Sequence, residues 1–270
     1  MTDDVVSWYS DHYDEDDRLD ANSLEYIRCQ EIITRCLSDT PMAIADVGGA
    51  SGTYSFWLAG LGHNVHLIDL TSRHIAQAKA KAAQGGVPLA EYCCADARQL
   101  PMADDSFDLV LEMGPLYHLQ NQDDRLATLH QAYRTLRPGG FVVCQVISRY
   151  ASMMDGFKLQ LIKDEYFQQI MVQDLSTGCH DNPRNVPHYF TSAYFHRPDD
   201  IREELALTGF VDIELIAVEG FASMLDADIL MGDETMRPWL LDCLRQTEHT
   251  PELLGVSSHI MAIGRKPNAE

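Results

Sequence analysis

The sequence predicts an α/β protein with a doubly wound, mostly parallel seven-stranded sheet, its last strand antiparallel, and an inserted cap. Three observations carry that prediction. Apolar runs alternate with helix-like stretches through most of the chain, as they do where helices cover both faces of a parallel sheet. A glycine-rich turn, "DVGGASG" (residues 46–52), ends the first apolar run and opens a helix-like stretch. Finally, 270 residues with 46% hydrophobic content can bury one large core.

Strands are expected at Ala43–Val47, Val65–Asp69, Ala90–Cys94, Phe107–Glu112, Gly140–Ile147, Val211–Val218 and Ser258–Gly264. The helices between them are expected near Leu24–Leu37, Thr53–Leu61, Ser72–Gln84, Asp123–Leu136 and Pro198–Thr208. In "RTLRPGGFVVCQVI" Pro138 cannot continue a helix, and Gly139 and Gly140 permit the turn into the next strand.

Two regions break the alternation. Residues 1–22 are rich in Asp and Glu yet interleave Trp8, Tyr9, Tyr13 and Leu19, so this arm is expected to fold over something as a lid. Residues 148–197 far exceed the ~2–6 residues of an ordinary connection in such units. They carry Tyr150, Phe157, Tyr166, Phe167, Tyr189, Tyr194 and Phe195, and read as a cap inserted over a binding site within a domain spanning residues 23–270.

The net charge of −21, from 41 acidic and 20 basic residues, repels phosphate backbones and anionic lipid. Nucleic-acid and membrane partners are therefore not expected; the acidity reads first as solubility, with attraction of a cationic substrate as the alternative. No apolar run approaches the ~18 residues that span a bilayer, and "MTDDVVSWYS" does not read as a signal peptide. Seven cysteines without a C-x-x-C pair read as reduced thiols in a cytoplasmic protein. A homodimer is left open.

The motifs carry the chemistry. Gly48, Gly49 and Gly52 let the backbone turn sharply and approach a ligand closely, beside the free N–H groups of the following helix. They do not fit the G-x-G-x-x-G dinucleotide pattern. Asp46 before the turn suits an ammonium or sulfonium better than a pyrophosphate. Asp69 ends the second strand 17 residues after Gly52, where a carboxylate can accept from ribose hydroxyls. Asp96 and Glu112 end the third and fourth strands, again at the edge where open parallel sheets bind ligands.

This succession resembles the class I S-adenosylmethionine-dependent methyltransferases, with their Rossmann-like fold. The order of D-x-G-x-x-x-G turn, ribose acid, "DA" before "LP", "FD-x-V" strand and "LRPGG" return runs from about Ala43 to Ile147. The resemblance implies S-adenosyl-L-methionine as cofactor, with Asp46 orienting the turn and Gly48, Gly49 and Gly52 admitting its methionine half. It implies that Asp69 holds the ribose hydroxyls, Leu70 lies against the adenine, Asp96 accepts from the adenine amino group, and Ala97 packs nearby. The backbone at Glu112 would receive the ammonium. The chain departs from the family at Ala50, where glycine is common. Arg28 and Tyr13 are further candidates, the first to reach the cofactor carboxylate as in some related methyltransferases, the second to cover the cofactor.

"MGPLYHL" (113–119) follows the fourth strand and resembles a stretch of bacterial small-molecule methyltransferases. Tyr117 and His118 are the catalytic candidates, Tyr117 shaping the acceptor pocket and His118 taking a proton from the acceptor. Placement alone can supply ~7–11 kcal/mol, so the missing triad does not argue against an enzyme. His180, His188 and His196 recur every eight residues, a period that fits neither helix nor strand, and no metal is expected. The activity implied is methyl transfer to an O, N or S atom of a small molecule. A non-catalytic cofactor-binding regulator and a same-fold enzyme for another transfer are the alternatives.

Overall fold

The computed structural model describes residues 23–186 and 188–269. The arm of residues 1–22, with Tyr13, lies outside the described residues. Helix α1 (Leu24–Thr34) starts at Ser23, whose side chain accepts from the Tyr26 N–H. There follow β1 (Ala43–Val47), α2 (Thr53–Gly60), β2 (Asn64–Asp69), α3 (Ser72–Ala83), β3 (Glu91–Cys94) and β4 (Phe107–Glu112). A 3₁₀ turn, Pro115–His118, leads to α4 (Gln122–Thr135) and β5 (Leu136–Ile147).

The segment after β5 is not an irregular loop. It forms α5 (Ala151–Lys158), α6 (Glu165–Thr177) and a small hairpin of β6 (Cys179–His180) and β7 (Ala193–Tyr194). Asp164 caps the start of α6 and Gly178, in the left-handed conformation, ends it. The chain returns through α7 (Pro198–Leu207) and β8 (Val211–Ala217), then α8 (Ala227–Gly232), α9 (Met236–Thr247) and α10 (Pro251–Leu254), to β9 (His259–Arg265). The sequence reading had no helices between residues 226 and 254. They pack a separate cluster of Leu240, Leu241 and Leu244 with Ala222 and Leu24 of α1.

The seven-stranded sheet has the order β3-β2-β1-β4-β5-β9-β8. β1 pairs in parallel with β2 and β4, and β4 with β5, while β9 runs antiparallel to both β5 and β8. The predicted architecture, including the antiparallel last strand, is therefore the observed one. Central strands are buried on both faces, which is why they read as continuous apolar runs. Ile44, Leu109, Leu111 and Val143 face α1–α3, while Val47, Val110, Val142 and Cys144 face α4 and α7. The order reverses between β1 and β4, and the crevice at their carboxyl ends is where such sheets bind ligands.

No helix of the described residues is long and apolar enough to cross a membrane.

Candidate functional site

Beyond β1 the backbone turns through Gly48 (φ 70°), Gly49, Ala50 (φ 48°) and Gly52 (φ 94°) into α2. The N–H groups of Gly48 and Gly49 both donate to the Ile68 carbonyl, at 2.7 and 3.3 Å, and so fix the turn to β2. A Cβ at Gly48 would sit 2.6 Å from Pro115 Cδ, and one at Gly49 would sit 2.5 Å from Asp46 Oδ2. Ala50 occupies the left-handed region that glycine adopts without penalty. The departure from the family's glycine is thus accommodated at the cost of strain.

Asp46 is fully buried beneath the turn, and its Oδ2 accepts from Ser55 Oγ of α2 at 2.6 Å. Burial pushes its carboxyl up to about 6, partly opposed by the Ser55 hydroxyl and reinforced by the Asp69 charge. Asp69, at the end of β2, accepts from three local donors, which leaves its carboxylate with acceptor capacity to spare. Its Oδ2 accepts from the Ala50 N–H at 3.0 Å, and its Oδ1 from the Thr71 N–H at 2.7 Å, with His74 Nδ1 at 3.1 Å. Asp96 is gripped by the Arg98 guanidinium, whose Nη2 lies 2.7 Å from Oδ2, and Arg98 also pairs with Asp124. That guanidinium holds the Asp96 carboxyl below its usual range.

These elements line one cavity at the carboxyl ends of β1, β2 and β4, the place where open parallel sheets bind ligands. Of the residues singled out in the sequence, Gly48, Gly49, Asp69, Leu70, Asp96, Ala97, Tyr117 and His118 line it together. Thr53, Tyr54, His74 and Gln145 line it too, without having been anticipated. Two of these left a signal. His74 lies in the first turn of the helix that follows the strand-ending Asp69, and Gln145 is the one polar residue within "FVVCQVI".

Asp46 lies beneath the turn it was expected to orient, and three other expectations, Arg28, Gly52 and Glu112, are placed differently. Arg28 is fully buried and turned to other partners: its Nη1 pairs with Glu31, its Nη2 with Glu248, and its Nε donates to the Val218 carbonyl at 3.3 Å. It does not line the cavity, and neither does Asp46. Gly52 begins α2, with a would-be Cβ 3.1 Å from the Phe56 ring. Glu112 sits within the ladder between Val47 and Cys144, and the residues after it, Met113 and Gly114, reach the cavity instead. Both Glu112 carboxylate oxygens are buried without a hydrogen bond among the described residues, and burial with the nearby Asp46 pushes its carboxyl well up.

The 3₁₀ turn that presents Tyr117 and His118 is held from behind. Arg125 of α4, buried, donates through Nη1 to the carbonyls of Leu119 and Gln120, both at 2.8 Å, and through Nη2 to Glu204 of α7 at 2.7 Å. The His118 ring stacks on Phe190 at a centroid distance of 5.9 Å.

A second cavity adjoins this turn, bounded by Ile147, Asp155, Phe167, Tyr189, Phe195 and His259 among others. Tyr117, Ile147 and Phe195, with Phe190, belong to one buried cluster between the two cavities. His180 turns both nitrogens from this space, Nδ1 lying 2.8 Å from Asp174 Oδ2 and Nε2 2.6 Å from the Tyr189 carbonyl. His196 faces Glu204. Among the described residues, the side chains that come within metal-ligand reach of one another are those of Glu25, Glu219 and His259.

A family model for a methyltransferase domain matches residues 44–140. The ubiquinone biosynthesis O-methyltransferase of Cereibacter sphaeroides is 30% identical over 140 residues, which cover 52% of this chain and 52% of that protein. The chain thus spans about half the length of the curated relatives it matches. A methyltransferase from Methanosarcina mazei aligns with a TM-score of 0.60 and 18% identity, covering 88% of this chain and 98% of that one. A Burkholderia thailandensis 1,6-didemethyltoxoflavin-N1-methyltransferase, with its substrate and S-adenosylhomocysteine bound, aligns with a TM-score of 0.57 and 18% identity over 98% of this chain and 86% of that one. Sheet order, glycine turn and matched domain agree: residues 44–140 match a methyltransferase domain, and the chain has the fold of solved S-adenosylmethionine-dependent methyltransferases.

Proposed function

We propose that the protein transfers a methyl group from S-adenosyl-L-methionine to an O, N or S atom of a small-molecule acceptor. The observation that carries this reading is the junction of Asp69 with the Ala50 amide, which brings a strand-ending carboxylate and a glycine-rich turn to one cavity. The residues present fit the cofactor. Gly48 and Gly49 let the turn pack tightly on Pro115 and Asp46 while its backbone borders the space for the amino-acid half, and Asp69 faces the same space as an acceptor for ribose hydroxyls. Leu70 and Ala97 offer apolar surface for the adenine, and Asp96 offers its carboxylate to the amino group.

When bound, the cofactor supplies an electrophilic methyl on a sulfonium. The chain's own share is placement: methyl transfer needs nucleophile, methyl and sulfur in line, and positioning is worth ~7–11 kcal/mol. Tyr117 and His118 sit where an acceptor would meet that methyl, and in this reading His118 accepts a proton from the acceptor at ring nitrogen. Segment 148–197 acts as the cap, since its aromatic side chains border the second cavity, which we assign to the acceptor. The setting we assign is the cytoplasm, where the cysteine thiols remain reduced.

The test is incubation with cofactor labelled in its methyl group and a metabolite extract. A labelled compound together with S-adenosylhomocysteine is the expected product pair. Cofactor binding without any labelled product, across extracts of varied origin, would instead favour a non-catalytic cofactor-binding protein.

A further inference from the structure

The second cavity carries information about the acceptor itself. Its walls are largely aromatic, from Phe167, Tyr189, Phe190 and Phe195, and His180 offers ring surface rather than a free nitrogen because both of its nitrogens are engaged elsewhere. Such walls suit a flat apolar body. Phe195 and the His180 ring already stack at 4.8 Å.

The polar end of the same cavity is acidic. Asp155 of α5 lines it, and no hydrogen bond reaches the Asp155 carboxylate among the described residues. No lysine or arginine appears among the described lining residues. The nearest ammonium, Lys158, donates to the Ser223 carbonyl at 3.3 Å. Beside Asp155, His259 lies 2.6 Å from Glu219 Oε1 and 3.9 Å from Glu25 Oε1, so the imidazole is flanked by two further carboxylates. Glu25 in turn accepts from Gln145, which lines the cofactor cavity, so the acidic end adjoins the site already described. Burial raises the Asp155 carboxyl, an effect opposed by Lys158 and His259 and aided by Glu219. A cation brought into the cavity would reverse that rise.

We propose that the acceptor is an amphipathic amine: a flat apolar body held between the aromatic walls, with a protonated amine bound by Asp155. This rests on the methyltransferase reading and narrows it to a substrate class. A protonated amine held by a carboxylate has no free electron pair, so that nitrogen is the handle and not the atom methylated. The nucleophile lies at the other end of the molecule, toward Tyr117 and His118. The charge of −21 favours the approach of such a cation.

Three phenols of matched shape test this: tyramine (cationic), 4-ethylphenol (neutral) and 3-(4-hydroxyphenyl)propanoate (anionic). Their affinities are measured by calorimetry with and without saturating S-adenosylhomocysteine. Tyramine is expected to bind at least about tenfold more tightly than 4-ethylphenol, with the propanoate weakest. Asp155→Asn should cut the preference for tyramine below about threefold without changing the affinity for 4-ethylphenol, and Asp155→Glu should keep it. Equal binding of all three, no binding near millimolar concentration, or a preference that survives Asp155→Asn would overturn the proposal. Failure of S-adenosylhomocysteine to bind would count against the methyltransferase reading instead, and the ranking measured without it would still stand.

Discussion

The backbone N–H of Ala50 donates to Oδ2 of Asp69 at 3.0 Å, so the acid that would hold the cofactor's ribose also fastens the turn that would admit its methionine half. The two functions are coupled through one carboxylate. Asp69→Ala should therefore weaken S-adenosylhomocysteine by about 10²-fold, because hydrogen bonds to a charged acceptor are worth ~1.5–3 kcal/mol each. The ligand's thermal shift should shrink accordingly, since that shift follows affinity by mass action. An unchanged shift in the variant would remove Asp69 from the site. Asp96→Ala should cost less, about threefold to tenfold, because the Arg98 guanidinium already neutralises the Asp96 carboxylate.

Gly48 tests the turn itself. The φ of 70° and a would-be Cβ 2.6 Å from Pro115 Cδ mean that valine here strains the backbone before it meets any ligand. The expected result of Gly48→Val is a loss of stability of about 2 kcal/mol or more in the ligand-free protein, read from urea unfolding. A variant of wild-type stability that merely fails to bind would place Gly48 against the ligand alone.

The sheet was legible because each central strand is an apolar run closed by an acid or a glycine, as with "AIADV" and "NVHLID". The residues that line the first cavity were legible for the same reason, because strand ends converge in a parallel sheet whatever the intervening helices do. Arg28 was misread because its partner Glu248 lies 220 residues away, on a helical segment with no strand of its own to announce it. The Arg125 latch was invisible on the same grounds: "DDRLATLH" reads as a solvated helix start until Glu204 is folded against it.

That latch makes its own prediction. Removing one partner of a buried ion pair leaves the other uncompensated and typically costs about 3–5 kcal/mol. Arg125→Met should fall in that range by chemical denaturation, and adding Glu204→Leu should recover most of the loss. Because Arg125 also fixes the carbonyls of Leu119 and Gln120, turnover should stay depressed in the double variant after stability returns. Full recovery of turnover would show that the 3₁₀ turn does not depend on Arg125.

Asp46 gives a pH dependence with a defined sign. Its carboxyl moves from 3.8 to about 6 on folding, so between those values the folded state holds a proton that the unfolded chain has released. Stability therefore falls as pH rises through that window and stays lower above it, by about 3 kcal/mol at 1.36 kcal/mol per unit. Glu112, raised in the same direction, adds to the fall. Asp46→Asn can still accept from Ser55 and should flatten the decline in urea unfolding between pH 4 and pH 7. A decline, or rise, of the same slope in wild type and Asp46→Asn would mean that Asp46 is solvated, since the pairing of Glu31, Glu204 and Glu248 with arginines acts equally in both.

His118 decides whether the site does proton chemistry or placement alone. Its ring is buried on the cavity wall, stacked on Phe190 and 4.5 Å from the Tyr117 ring, so any acceptor reaching the cofactor cavity from the second cavity passes beside it. If His118 takes a proton from the acceptor, His118→Asn should lower turnover by ~10²-fold while leaving the affinity for S-adenosylhomocysteine within about twofold. The deficit should shrink as pH rises for an acceptor whose own hydroxyl or thiol ionises, because such a nucleophile no longer needs a base. A Tyr117→Phe variant separates shape from chemistry: it keeps the ring and should retain most of the turnover if Tyr117 only shapes the pocket. Near-normal turnover of His118→Asn at neutral pH would make His118 a wall residue. Methyl transfer would then rest on in-line placement, which needs no proton acceptor from the protein when the nucleophile is a free amine or a thiolate.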